Sequence, residues 1–265
     1  MDLVQIIVLA IVQGLSEFLP ISSSGHLILV PHFLAWPDQG LAFDVAVHVG
    51  TLLAVVLYFR QQLGMMVHDL ATSLVTRRAT RDSRLACAVL IGTIPVGLSG
   101  LLFADAIEAN LRSPVFVACT LSFFGVLLLL ADRTGRQARD EYSLSLWQAL
   151  LIGCAQALAL MPGTSRSGVT MTAGLAIGLT RSAAARFSFL LAVPGIAMAG
   201  AYEALHLILS ESRVDWAAMA IGAGVAAVSG YACIHFLIRF IERIGMLPFT
   251  IYRLLLAGVI LVVFL

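Results

Sequence analysis

Charge is what this sequence has least of. Asp, Glu, Lys and Arg together make up only 12% of its 265 residues, about half the share of a soluble domain. That excludes a large water-facing surface, and a mean hydropathy of +0.98 makes the bilayer the first solvent to consider. Lysine is missing altogether, so the sixteen basic residues are all arginine, a trait of composition to which no function attaches. A formal net charge of +1 gives nucleic acid no electrostatic footing. Cysteine is sparse too. Cys87, Cys119, Cys154 and Cys233 stand far apart in or beside apolar stretches, which excludes metal-ligand spacing and disulfide grouping and leaves them as small packing residues. Met1 to Ala10 carries Asp2 where a signal peptide has basic residues, and no small-residue cleavage site follows, so the N-terminus is expected to be retained.

What the sequence does have is apolar runs of spanning length. Six read as transmembrane helices: about Phe43 to Phe59, Leu85 to Ala104, Pro114 to Ala131, Phe187 to Leu207, Trp216 to Leu237 and Pro248 to Leu265. Two further apolar regions, residues 3 to 34 and 147 to 180, are interrupted by Pro20-Ile-Ser-Ser-Ser-Gly25 and Pro162-Gly-Thr-Ser-Arg-Ser-Gly168. Broken backbone is tolerated at membrane depth only inside a bundle or beside a wet cavity. Both regions are therefore expected to be re-entrant helix-loop-helix hairpins.

A shift of 143 residues lays Gln13 to Gly25 over Gln156 to Gly168, with Gln, Leu, two Ser and Gly coinciding. Each copy is followed by three spans, giving repeats of about 1–135 and 145–265 within a single integral membrane domain. An odd number of crossings per half makes the repeats inverted. The expected fold class is thus an all-α polytopic membrane protein, an inverted repeat of six transmembrane helices and two hairpins. Arginine placement bears on orientation, because cytoplasmic loops are Arg-rich. Arg60, Arg77, Arg78, Arg81 and Arg84 flank or fill the first loop between spans, Arg133, Arg136 and Arg139 the third, Arg181 and Arg186 the approach to the fourth span, and Arg239 and Arg243 the last loop. The other loops hold only Arg112 and Arg213. Both termini are then outside, with the hairpins dipping in from opposite faces and meeting near mid-membrane.

Chemistry concentrates at the two breaks. Glu17 costs about 3 kcal/mol or more inside an apolar segment and needs a partner or a wet cavity. Gln13 lies one helical turn earlier on the same face. In Ser22-Ser23-Ser24-Gly25-His26 a hydroxyl lies close enough to a base for activation, or the serines simply satisfy broken backbone. His32, His48 and His68 have no partner cluster in sequence and read as structural. In the second break Gly163, Ser165, Arg166, Ser167 and Thr170 combine a guanidinium fork with hydroxyls on a turn entering a helix, an oxyanion or phosphate cradle. The plainer alternative for Arg166 is an ion pair, to Glu17 for instance. Arg253, in the last span, is expected to snorkel to the inner face.

At these residues the sequence closely resembles the undecaprenyl-diphosphate phosphatase family, the bacitracin-resistance type of membrane phosphatase. The likeness rests on Gln13 and Glu17, on Ser22 to His26, and above all on the Pro-Gly-x-Ser-Arg-Ser-x-x-Thr run from Pro162 to Thr170. Residues 187 to 194 and 248 to 253 extend it over essentially the whole chain. Gln13 stands where many members have Glu, so that position needs no charge here.

The resemblance implies hydrolysis of a polyprenyl diphosphate lipid to its monophosphate and phosphate, recycling the carrier of cell-wall (peptidoglycan) synthesis. It also implies a homodimer in the bacterial cytoplasmic (inner) membrane with its site open to the periplasmic face. A divalent cation (Mg or Ca), with Glu17 as its ligand, is a further implication, and no organic cofactor is expected. On this expectation Arg166 clamps phosphate with Ser165, Ser167 and Thr170, Ser23 is the candidate nucleophile, His26 the general base toward Ser23 or a water, and Glu17 and Gln13 orient His26 or hold the cation. Direct attack by water or a phosphorylated His26 fits the same residues. Gly163, Ser22 and Ser24 complete the substrate contacts. A lipid-phosphate transporter or flippase shares the expected architecture, and an intramembrane serine protease shares the Ser, Gly and His but leaves the Arg166 cradle unexplained.

Overall fold

The structure, a computed structural model, describes residues 1–111, 113–209 and 215–264. Arg112, Arg213 and Leu265, used above to count loop charges and bound the last span, lie outside the described residues. In chain order the helices are α1 (Leu3–Phe18), α2 (Ser23–Phe33), α3 (Leu41–Tyr58), α4 (Arg60–Thr76), α5 (Arg81–Asn110), α6 (Pro114–Thr134), α7 (Leu146–Ala157), α8 (Arg166–Ala176), α9 (Arg181–Leu209), α10 (Trp216–Ile244) and α11 (Leu247–Phe264). No strand occurs among the described residues.

Helices α3, α5, α6, α9, α10 and α11 are long and apolar enough to cross a membrane, and they match the six expected spans, the first of which was drawn one residue past the end of α3 at Tyr58. Their ends are set by local chemistry. Asp2, Thr80, Ser113, Ser145 and Asp215 each accept a backbone N–H of the first turn they cap, which satisfies donors that a helix start leaves free. The outer faces are apolar, with Leu101, Val228, Leu255 and Val262 all more than 60% exposed, as suits a lipid solvent.

One helix was not expected. Residues 60 to 76, read as an Arg-flanked loop, form α4, which packs on α5. Its Gln, Leu, Met and Ala are good helix formers with no proline among them, but its low hydropathy keeps it out of the spanning set.

The interior packs closely where residues are small. A Cβ added at Gly153 of α7 would sit 2.3 Å from the Gly92 carbonyl oxygen of α5, so the two backbones touch there. Helix α10 lies against both α1 and α3, and α9 against α3, α5 and α8. The two interrupted regions, α1–α2 and α7–α8, pack on the spans while Val4, Ile28 and Trp147 stay more than 60% exposed, and the breaks between their helices fall where polar side chains converge.

Candidate active site

The two breaks have the same local build. Ser22 and Ser165, related by the 143-residue shift, hold the position before α2 and α8 at φ 75° and φ 68°. A non-glycine residue at positive φ is uncommon and costs energy, so its recurrence at equivalent positions marks a shared turn. Each is followed two residues on by a serine whose hydroxyl lies near its own: Ser22 to Ser24 at 3.4 Å and Ser165 to Ser167 at 3.3 Å. Gln13 and Gln156, also equivalent, are both fully buried.

Across the breaks, one hydrogen-bonded cluster forms. The Arg166 Nη2 donates to Glu17 Oε1 at 2.7 Å. The other carboxylate oxygen, Oε2, accepts from Ser23 Oγ at 2.7 Å and from Gln13 Nε2 at 3.1 Å. The His48 Nε2 lies 3.9 Å from the same oxygen. Glu17 is only 7% exposed, so its charge is met by a cation and two neutral donors rather than by water. Arg166 keeps a second nitrogen, Nη1, that is buried and unpaired.

This cluster forms one wall of a cavity of about 470 Å³. Glu17, Ser22, Ser23, Ser24, Ser165 and Arg166 line it, as do Asp44 and His48 of α3, Gln156 of α7 and Glu203 of α9. Gly195, Ala199 and Gly200 of α9 line it too. A lining that mixes polar groups with small and apolar residues suits an amphiphile with an anionic head.

Several sequence expectations change at this point. His26 is buried and both its ring nitrogens have partners other than Ser23: its Nδ1 is 2.7 Å from the Ser22 carbonyl oxygen and its Nε2 pairs with the Tyr252 hydroxyl, with the two rings stacked. The group that reaches the Ser23 hydroxyl is Glu17. Ser167 and Thr170, expected to add hydroxyls to the cradle, are engaged by the protein. Ser167 donates to the Leu19 carbonyl oxygen at 2.9 Å, and Thr170 donates to the Arg166 carbonyl oxygen and lies 2.7 Å from Ser188 Oγ.

Gly163 serves the turn. It has φ +86°, and a Cβ there would come within 2.3 Å of Thr120 Oγ1, which donates to the Pro162 carbonyl oxygen. His48, Asp44, Gln156 and Glu203 were missed because nothing at their positions in sequence points inward; only the packing of α3, α7 and α9 shows it.

Arg253 does not snorkel. It is completely buried, and its guanidinium donates to the carbonyl oxygens of Pro20 (3.3 Å), Leu121 (3.0 Å), Gly163 (3.0 Å) and Thr164 (3.0 Å). Those carbonyls belong to both breaks and to α6. The arginine is held in place because broken backbone needs donors that hydrocarbon cannot provide. Its signal in sequence was the charge itself, isolated in an apolar span.

The fold and site thus define a polytopic helical membrane protein with a buried carboxylate–arginine–serine cluster where two helix breaks meet. The family described as bacitracin resistance protein BacA matches residues 6–259, and the chain belongs to that family. Among its relatives, undecaprenyl-diphosphatase 2 of Stutzerimonas stutzeri (strain A1501) is 60% identical over 267 residues, covering 100% of this chain and 99% of the relative. Undecaprenyl-diphosphatase of Nitrosococcus oceani is 54% identical with both chains covered completely, and that of Campylobacter concisus is 49% identical with the same coverage.

Proposed function

We propose that this protein hydrolyses undecaprenyl diphosphate to undecaprenyl phosphate and inorganic phosphate. Full-length relatives of that name support the reaction, and the observation that carries it to particular atoms is the Arg166–Glu17–Ser23 cluster in the wall of the cavity. The diphosphate enters with its terminal phosphate toward Arg166, whose unpaired Nη1 takes a phosphate oxygen while the hydroxyls of Ser22, Ser24 and Ser165 line the approach. Glu17 accepts the Ser23 proton as Ser23 Oγ attacks the terminal phosphorus. The bond from that phosphorus to the bridging oxygen breaks, and undecaprenyl phosphate leaves. Glu17 passes that proton to the departing undecaprenyl phosphate. Water then attacks the phosphoserine and gives a proton to the freed Glu17 carboxylate, the phosphorus–Oγ bond breaks, and Glu17 returns the proton to Ser23 Oγ as phosphate leaves. Charge building on the phosphoryl oxygens is met by the guanidinium.

In this scheme His26 is a positioning residue: it ties the Ser22 carbonyl, at the strained turn before Ser23, to Tyr252. Ser167 and Thr170 likewise hold the second turn and the start of α8. Phosphoenzyme trapping followed by mapping of the labelled residue tests the assignment. A label on Ser23 is expected, and one on His26 would displace it.

The divalent cation belongs to the same proposal. Among the described residues no three His, Cys, Asp or Glu side chains converge as a metal cage. Glu17, with Asp44 or His48 of the same cavity, would supply part of a coordination sphere that substrate phosphates and water complete, as magnesium accepts. Bound there, the ion would neutralise phosphate charge.

The matched turns at Ser22 and Ser165 support the inverted repeat and the reading of α1–α2 and α7–α8 as re-entrant hairpins. Arginine distribution supports the orientation of the spans in the bacterial inner membrane, and the family resemblance supports a site open to its periplasmic face. Cysteine-accessibility labelling of single-cysteine variants from both sides tests both statements. The homodimer is tested by mass measurement in detergent. A transporter of lipid phosphates shares the inverted-repeat architecture with this reading, and phosphate release from solubilised protein, where no gradient exists, separates the two.

A further inference from the structure

The Gln156 side chain is fully buried and lines the cavity, yet neither its Nε2 nor its Oε1 has a hydrogen-bond partner. No other buried side-chain amide among the described residues leaves both atoms unpaired; Gln13 lacks a partner only at Oε1. A buried polar atom without a partner costs about 1–3 kcal/mol, so a protein that keeps two of them has a use for them. Comparison with the equivalent residue points to that use. Gln13 donates to Glu17; the position equivalent to Glu17 in the second unit is Leu160, which has no acceptor. Gln156 therefore holds a donor that its own helix does not use. Ser165 and Arg166, whose own Nη1 is buried and unpaired, line the same cavity.

From this we infer that Gln156 is a substrate-binding residue: its Nε2 donates to a non-bridging oxygen of the phosphate held by Arg166. A neutral donor suits this place. Arg166 already neutralises Glu17, and a carboxylate at 156 would repel the diphosphate. The inference rests on the diphosphatase reading above for its ligand.

The test uses the full-length protein in detergent, with undecaprenyl diphosphate for turnover and a prenyl methylene-bisphosphonate for binding. Gln156→Met is expected to keep or raise the melting temperature, since it removes two unpaired polar atoms, while KM rises at least about tenfold and affinity for the bisphosphonate falls by a similar factor. Wild-type KM and bisphosphonate affinity in this variant would overturn the inference, as would a lowered melting temperature with KM unchanged, which is the mark of a structural amide. Should Gln156→Met fail to fold, Gln156→Glu, of the same size, carries the test. At least tenfold weaker bisphosphonate binding is expected, and wild-type binding overturns the inference. If the wild-type protein binds the bisphosphonate but releases no phosphate, the diphosphatase reading fails while the effect of Gln156 on binding is still measured.

Discussion

The two helix breaks are built alike and equipped differently. At equivalent places each has a buried glutamine, a serine at positive φ and a second serine hydroxyl beside it. Among the positions where they differ, two carry the charges: Glu17 stands against Leu160, and Arg166 against Ser23. The first unit carries the carboxylate and the hydroxyl that donates to it, the second carries the guanidinium, and the bond between Arg166 and Glu17 joins them. One backbone solution to a turn in the membrane has thus been furnished with opposite charges, and neither unit alone holds a complete site.

The sharpest way to break this comparison is to remove either end of the joining bond. Glu17→Ala or Arg166→Ala should lower kcat/KM for phosphate release by roughly a thousandfold or more, as for loss of a main transition-state donor. Near-wild-type turnover in either would remove the assignment. Arg166→Lys keeps the charge but loses the fork, and is expected to recover only a small part of the loss.

Next in size, Ser23→Ala should reduce turnover by about a hundredfold or more and abolish any trapped phosphoenzyme, while bisphosphonate binding persists. Leu160→Glu makes the second unit resemble the first by giving Gln156 the acceptor that Gln13 has. About a tenfold loss of kcat/KM is expected, because the new carboxylate competes for Arg166 and repels phosphate. An unchanged rate would mean that the difference between the units at this position is incidental. The smallest effect is expected at His48, which lies beyond hydrogen-bond distance from Glu17: His48→Ala should slow phosphate release about threefold, through a changed field at Glu17.

Much of this arrangement could be read in the sequence, for physical reasons that also mark where reading stops. The six spans announce themselves because hydrocarbon demands about 20 apolar residues in a row. The breaks do so because a cluster of Pro, Gly and Ser inside such a run interrupts the helix that hydrocarbon otherwise enforces. Glu17, Ser23 and Arg166 stood out as polar groups where polarity is costly. What did not follow was the pairing.

The Ser23 hydroxyl reaches Glu17, six residues back across the turn, rather than His26, three residues on, because Ser23 and His26 both belong to α2, where the imidazole turns toward the Ser22 carbonyl and Tyr252. Tyr252 is 226 residues from His26, and no local pattern encodes such a contact. Helix α4 escaped notice because its helix-forming residues lack an apolar stripe long enough to resemble a span. Arg253 was misplaced by a rule that is sound for an arginine near a helix end and fails when donors are wanted inside.

Arg253 also imposes an order on events. The carbonyls of Pro20, Gly163 and Thr164 that it satisfies are synthesised long before it, since it belongs to α11, the last of the described helices. Until that helix inserts, both turns must leave these groups to water or to transient partners. Completion of the two turns is thereby deferred until α11 has inserted, and a nascent chain arrested before α11 would be expected to hold both turns with these carbonyls unmet.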